Sequence, residues 1–174
     1  KYWLPYSMQA SVSSAFSEGN NGGGMKVSYT GSNIGYWGVA TLVPDGDWSA
    51  WQKISFDIKS ENSNPIRLII TETGTISGQD GEHWEYSITP SNTWSTVTIP
   101  FKSFTKRLDH QPPVEDMSKT FDLNKLNNIH FASVNDGSDT FYLDNIKVIG
   151  LDPGSTENPV NTPTITPNTP TPDK

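Results

Sequence analysis

The 174-residue chain contains no cysteine, which removes disulfides, thiolate catalysis and zinc–thiolate sites in one step. Positive charge is equally sparse. No cluster of Lys and Arg exceeds the pair Lys106-Arg107, the net charge is −7, and the pI lies near 4.8. A surface that tracks phosphates is not expected from such a balance, so nucleic acid is excluded as a partner and anionic membranes are equally unpromising. Apolar runs long enough to span a bilayer are missing. No segment sustains a 3.6-residue apolar period with caps, so no helix is predicted. A signal peptide is not visible, but the chain opens on Lys1-Tyr2-Trp3 without an initiator Met, which reads as an excised piece of a longer protein.

What is present points to β-structure. Six Trp, six Tyr, 14 Gly and 13 Pro with low charge are the composition of an extracellular β-protein, and secretion is expected. The stretch GYWGVATLVPDGDWSAW shows how the chain divides its residues between faces. Ile34 to Val43 suits a strand and Pro44-Asp45-Gly46-Asp47 a turn. Strand neighbours point to opposite faces, so Tyr36 and Trp37 cannot both be core, and one ring stands on the outer surface of a sheet. Lys53 to Lys59 alternates strictly, placing Ile54, Phe56 and Ile58 inside. Further strands are predicted over Met25–Tyr29, Ile66–Thr71, Glu82–Ile88, Trp94–Ile99, Leu126–Val134 and Thr140–Ile149, with Val27 facing inward. In the last of these the alternation breaks at Asp144-Asn145, the sign of a bulge. From Pro100 to Thr120 the pattern loosens, and Pro112-Pro113 argues against regular structure there. Many short strands separated by turn signals indicate an all-β sandwich over residues 1–150. Residues 151–174, rich in Thr, Pro and Asn, read as a linker joining this module to something else.

Three groupings mix polar and aromatic residues: Tyr36-Trp37, Asp80 to Trp84 (DGEHW), and Arg107-Leu108-Asp109-His110. A bent sheet would gather them on one concave face. Rings there can stack on the apolar faces of sugars while Asp and Arg bond the hydroxyl rim, a mixture that carbohydrate recognition needs. Plainer accounts stand beside this one: Asp80-Gly81 as a turn, Arg107 and Asp109 as a surface ion pair, Trp84 as core. His83, His110 and His130 have no ligand spacing between them, and His130, flanked by Ile129 and Phe131, reads as a hydrogen-bonded strand residue. Calcium leaves little sequence trace, and Asp144 at the suspected bulge is a candidate ligand. A glycosidase needs two carboxyl groups facing each other across a cleft. Glu82 and Glu85, three apart on a strand, point to opposite faces, and the E-x-D-x-x-E pattern of jelly-roll glucanases is absent, which favours binding without hydrolysis. A β-glucanase and a cell-surface protein-interaction domain remain the alternatives.

The words GYWG, LVPDGDWS, KISFDIKS, DGEHW, YSITP, RLD, QPP, IHF and DNIK, spread from about Gly24 to Gly150, resemble family 11 carbohydrate-binding modules, which are appended to clostridial β-glucanases. The resemblance implies a jelly-roll sandwich with a concave cleft, structural calcium and no catalysis. It also implies a β-glucan partner, single chains of β-1,4- and mixed β-1,3-1,4-glucan, with attached catalytic and scaffold-docking domains and a monomeric module. Matched by motif, the cleft residues are Tyr36, Asp80, Arg107 and Asp109. His110 takes the place of a tyrosine that closes R-L-D-Y, and Ser133 that of a tyrosine after the H-F motif. Asn127-Asn128 replaces an acidic-serine pair, and Tyr6 approximates an N-terminal cleft tyrosine. Two fewer stacking rings, each worth roughly 1 kcal/mol, imply glucan binding weakened by about ten-fold or more, or redirected. The acidic first strand that usually precedes this region is missing from the chain, and the resemblance leaves Asp144 and the backbone near Lys26 as the calcium ligands.

Overall fold

The computed structural model describes residues 3–31, 36–74, 80–112, 120–133 and 137–150. Eleven strands occur among them: β1 (Leu4–Met8), β2 (Ser11–Glu18), β3 (Gly23–Thr30), β4 (Tyr36–Leu42), β5 (Trp51–Ser60), β6 (Ile66–Thr73), β7 (Asp80–Ile88), β8 (Ser95–Pro100), β9 (Thr105–Lys106), β10 (Leu126–Ser133) and β11 (Ser138–Gly150). They form a six-stranded sheet in the order β1-β4-β10-β6-β7-β9 and a five-stranded sheet in the order β2-β3-β11-β5-β8. Every pairing is antiparallel. The all-β sandwich expected from the sequence is the observed architecture.

Period-two alternation produces the core. Ile54, Phe56 and Ile58 of β5, Val27 of β3 and Phe141 and Leu143 of β11 are fully buried from one sheet, and Val39, Leu68, Ile70, Ile129 and Phe131 meet them from the other. Phe56 packs edge to face on Phe131 at 5.1 Å between ring centroids, and Tyr29 stacks on Trp37 at 3.6 Å. Truncating a ring such as Phe56 to Ala costs about 3–5 kcal/mol in sites of this kind. Trp84 also belongs to the interior, stacked on Phe121, with its indole N–H donated to the buried carboxylate of Glu72. The bulge is where the alternation broke: register shifts between Asp144 and Lys147, and Asn145 has φ of 51°.

Two stretches depart from expectation. Residues 4–18, read as scattered aromatics, form β1 and β2, each at the edge of its sheet. Edge strands bury little, and here Leu4 and Phe16 face solvent while serines take inward positions, so no alternation was visible. The segment after Pro100, where Pro112-Pro113 argued against order, carries a 3-10 turn at Phe101–Ser103 and the two-residue β9 before the prolines begin. The linker at 151–174 and the turn residues Asn135-Asp136 lie outside the described residues.

Candidate functional site

The outer face of the six-stranded sheet is built in transverse rows. One row runs Tyr6, Gly38, Ala132, Arg67, Ser87; the next runs Leu4, Ala40, His130, Ile69, Glu85. Its middle is low because Gly38, Ala40 and Ala132 bring almost no side chain, while rings and charged groups rise at either end. The result is a cleft of about 470 Å³, lined by residues that include Tyr6, Tyr36, Arg67, Asp80, His83 and Arg107, with Asp109, His110 and His130 completing it. Gly38 is required: a Cβ there would run into the Tyr6 phenol and approach the Phe131 carbonyl.

Tyr36 opens β4 with its ring 49% exposed, whereas Trp37 is 1% exposed. The division of this pair between faces is thus as the sequence required. Tyr6 lies beside Tyr36 at 6.3 Å between centroids and meets His130 edge-on, with its hydroxyl 3.1 Å from His130 Nδ1. Burial pushes the Tyr6 hydroxyl up to about 12.

At the other end stands a charged group that the sequence only half revealed. Asp109 accepts from Arg107 Nε at 2.5 Å and from Arg67 Nη1 at 2.6 Å, and Arg67 also sits 3.2 Å from Glu85. Burial would raise the Asp109 carboxyl, but hydrogen bonds from Arg107 and Arg67 and their positive charge hold it at about 2. A carboxyl that is ionised so far below neutrality cannot act as a general acid, so this end is suited to accepting hydrogen bonds from hydroxyls. Asp109 is half exposed, and the ion pair itself stabilises the fold little. Asp109 is thus at once a partner in a surface ion pair and part of the cleft lining.

Asp80 is fixed from behind. Its Oδ1 accepts from the side-chain amides of Asn127 at 2.6 Å and Asn128 at 2.9 Å and from Thr71 Oγ1 at 3.2 Å. Neighbours on a strand reach one acceptor here because the register of β10 against β6 shifts between Leu126 and Asn128. Asn127 and Asn128, expected to line the cleft, are therefore not in its lining. They hold Asp80. His110 is exposed and packs its ring edge-on against His83 at 5.1 Å. The backbone of Ser133 ends β10 opposite Ile66, and its side chain lies outside the described residues.

Arg67 and His130 are cleft residues that the sequence reading did not propose as such, and His83 entered it only as a member of the DGEHW grouping. Burial pulls both His83 and His130 down to about 4, so each imidazole is neutral at pH 7. His83 Nδ1 and His130 Nε2 are buried without a hydrogen-bond partner among the described residues, an arrangement that costs stability unless something outside the chain completes it. A signal for Arg67 was present: it is the lone charge in the apolar run IRLII and shares a strand face with Ile69 and Thr71.

The calcium candidates lie on the other sheet. Asp144 is buried, with Oδ2 accepting from Asn21 N and Oδ1 from Asn145 N. Asp57 stands opposite it in register and accepts from Asn20, Thr96 and Asn145. Lys26 is inside β3, flanked by Ala15 and Tyr142. Hard oxygen donors are the right chemistry for calcium. The set is thin, however, because among the described residues no group of three or more His, Asp or Glu is placed to hold a metal ion.

A family model described as a carbohydrate-binding domain of family 11 matches residues 3–151. The chain belongs to family 11. This family 11 module is a non-catalytic binding domain. It is 53% identical over 151 residues to Endoglucanase H of Acetivibrio thermocellus, a match that covers 85% of this chain and 17% of that protein. The chain thus spans about one sixth of that relative. The solved family 11 carbohydrate-binding module of the cellulosomal cellulase Lic26A-Cel5E of Clostridium thermocellum is 53% identical. That match has a TM-score of 0.83 and covers 87% of this chain and 89% of the other. A family 11 module from the same organism, solved in complex with a β-1,3-1,4-mixed-linked tetrasaccharide, is 54% identical with a TM-score of 0.82. It covers 85% of this chain and 88% of its own.

Proposed function

We propose that the cleft binds single chains of β-1,4- and mixed β-1,3-1,4-glucan and so holds an attached glycoside hydrolase on its polysaccharide. The observation that carries this reading is the joining, in one open cleft, of the Tyr6 and Tyr36 rings with hydrogen-bonding groups from Asp80, Arg107 and Asp109. A pyranose offers C–H surface to the first and hydroxyls to the second. The relative solved with a mixed-linked tetrasaccharide supports the ligand class, and the likeness to part of Endoglucanase H supports attachment to a catalytic domain. Tethering raises the effective concentration of the enzyme at the polymer without any chemistry in the module. The parent protein is secreted, the module acts as a monomer, and a scaffold-docking domain accompanies it.

Electrophoresis in gels containing mixed-linkage β-glucan, a soluble β-1,4-glucan or xyloglucan tests the proposal. Retardation is expected in the first two, and unretarded migration in all three rejects glucan recognition. A structural calcium resting on Asp144 and main-chain oxygen near Lys26 belongs to the same proposal. Its test is thermal: a chelator is expected to lower the Tm with ligand choice unaltered, since a metal that binds only the native state stabilises it. An unchanged Tm removes the metal.

A further inference from the structure

The Arg107–Asp109 segment follows the shortest strand of the sheet, β9, and has little ladder of its own to hold it. What holds it comes from two side chains elsewhere. Arg67, on the floor strand β6, reaches Asp109 Oδ2 with Nη1 at 2.6 Å. Gln111 imitates a strand residue: its Oε1 accepts from His83 N at 3.0 Å, and its Nε2 donates to His83 O at 2.9 Å and to Arg107 O at 2.6 Å. With Arg107 N also donated to His83 O at 2.9 Å, a single carboxamide continues the β7–β9 pairing past the point where β9 stops.

We propose that Arg67 and Gln111 are positioning residues for polysaccharide recognition, holding the Arg107–Asp109 segment in the place from which Asp109 meets the sugar. The inference rests on the glucan reading of the cleft. Arg67 donates Nη1 to Asp109 Oδ2, and its charge also faces Glu85 Oε2 in an ion pair at 3.2 Å. Asp109 receives one arginine on each oxygen, and a carboxylate has about four acceptor positions, so capacity remains for ligand hydroxyls. Gln111 fixes the backbone of the segment and Arg67 the rotamer of its carboxylate. Losing either leaves the group present and misplaced, and small misplacements are costly in recognition sites.

The test has a ligand-free arm and a binding arm. By NMR, the Asp109 carboxyl of the wild type is expected to titrate at about 2, and in Arg67→Gln to move towards the ordinary carboxylate value near 4. By calorimetry with a β-1,3-1,4 tetrasaccharide, Arg67→Gln and Asp109→Asn are each expected to weaken binding about ten-fold. The double variant should be no weaker than either single one, and Arg67→Lys should recover part of the loss. Gln111→Ala is expected to weaken binding about five-fold and to speed amide exchange at Arg107, with the Tm within a few degrees of wild type. Additive losses would mean that Arg67 grips the sugar itself and would overturn the positioning role, as would an unmoved Asp109 titration in Arg67→Gln. A wild-type module that ignores the tetrasaccharide rejects the glucan reading instead, and the ligand-free titration still decides what Arg67 does to Asp109.

Discussion

Both outer faces of the sandwich display aromatic rings, and they treat them differently. On the five-stranded sheet, Lys59 Nζ lies over Tyr142 at 4.5 Å and over Trp94 at 5.2 Å, and the Tyr142 hydroxyl is donated to Glu61 at 2.8 Å. The carboxylates beside them are also occupied, Asp57 by three side-chain donors and Asp139 by Ser60 Oγ and the N–H groups of Asn62, Asn64 and Thr140. On the six-stranded sheet, Tyr36 is half exposed, and the imidazoles of His83 and His130 each keep a buried nitrogen without a partner among the described residues. A ring at the surface is not enough to mark a binding face. Hydrogen-bonding capacity left over beside the ring is what separates the two.

That contrast breaks most readily at Tyr36. Tyr36→Ala is expected to lower glucan affinity ten-fold or more in gel electrophoresis, and Trp94→Ala or Tyr142→Ala to leave migration unchanged. Equal effects from the two faces would end the distinction. Next in size, Gly38→Ala places a Cβ against the Tyr6 phenol. The displaced ring should weaken binding several-fold and lower stability by about 1–3 kcal/mol, measured by calorimetry and urea unfolding.

Acid should tell the faces apart as well. His83 and His130 are lowered from 6.5 to about 4 in the folded chain, so the unfolded chain takes up their protons first on acidification. Their contribution to stability is complete above pH 6.5 and is lost as the pH falls from there to about 4. A falling Tm is expected across that window, and a flatter profile in His83→Gln. Asp57, on the opposite face, is lowered despite its burial by hydrogen bonds from Asn20, Thr96 and Asn145. Its contribution is present above the ordinary carboxylate range and is lost only at lower pH. The smallest effect is expected from Thr96→Val, which removes one donor to Asp57. It should cost about 1 kcal/mol of stability and nothing in glucan affinity, readable in one unfolding curve and one binding isotherm.

How far the sequence foretold these features depends on whether local pattern or register decided them. Strict alternation located β5 and its buried Ile54, Phe56 and Ile58, and the broken alternation at Asp144-Asn145 located the bulge, because both are properties of consecutive residues. Tyr36, Asp80, Arg107 and Asp109 share one cleft, as the family resemblance implied. Asn127 and Asn128 escaped correct placement because a register shift, invisible in one strand alone, turns both amides towards Asp80. Arg67 escaped for a related reason: it lies on the floor strand β6, and only pairing across β6, β7 and β9 brings it to Asp109. His83 meets Asp80 along its own strand, β7. The edge strands β1 and β2 were hidden by serine and by apolar residues that face solvent.

The position of β11 also constrains how the molecule comes into being. It lies between β3 and β5, so the five-stranded sheet has no continuous centre until β11, the last of the described strands, has docked. Partners more than a hundred residues apart in sequence must find one another, as Phe141 and Val27 do, and loops of that length slow the search. Until then the two halves of that sheet present bare inner strands to their surroundings, so the sheet is completed only once β11 is in place.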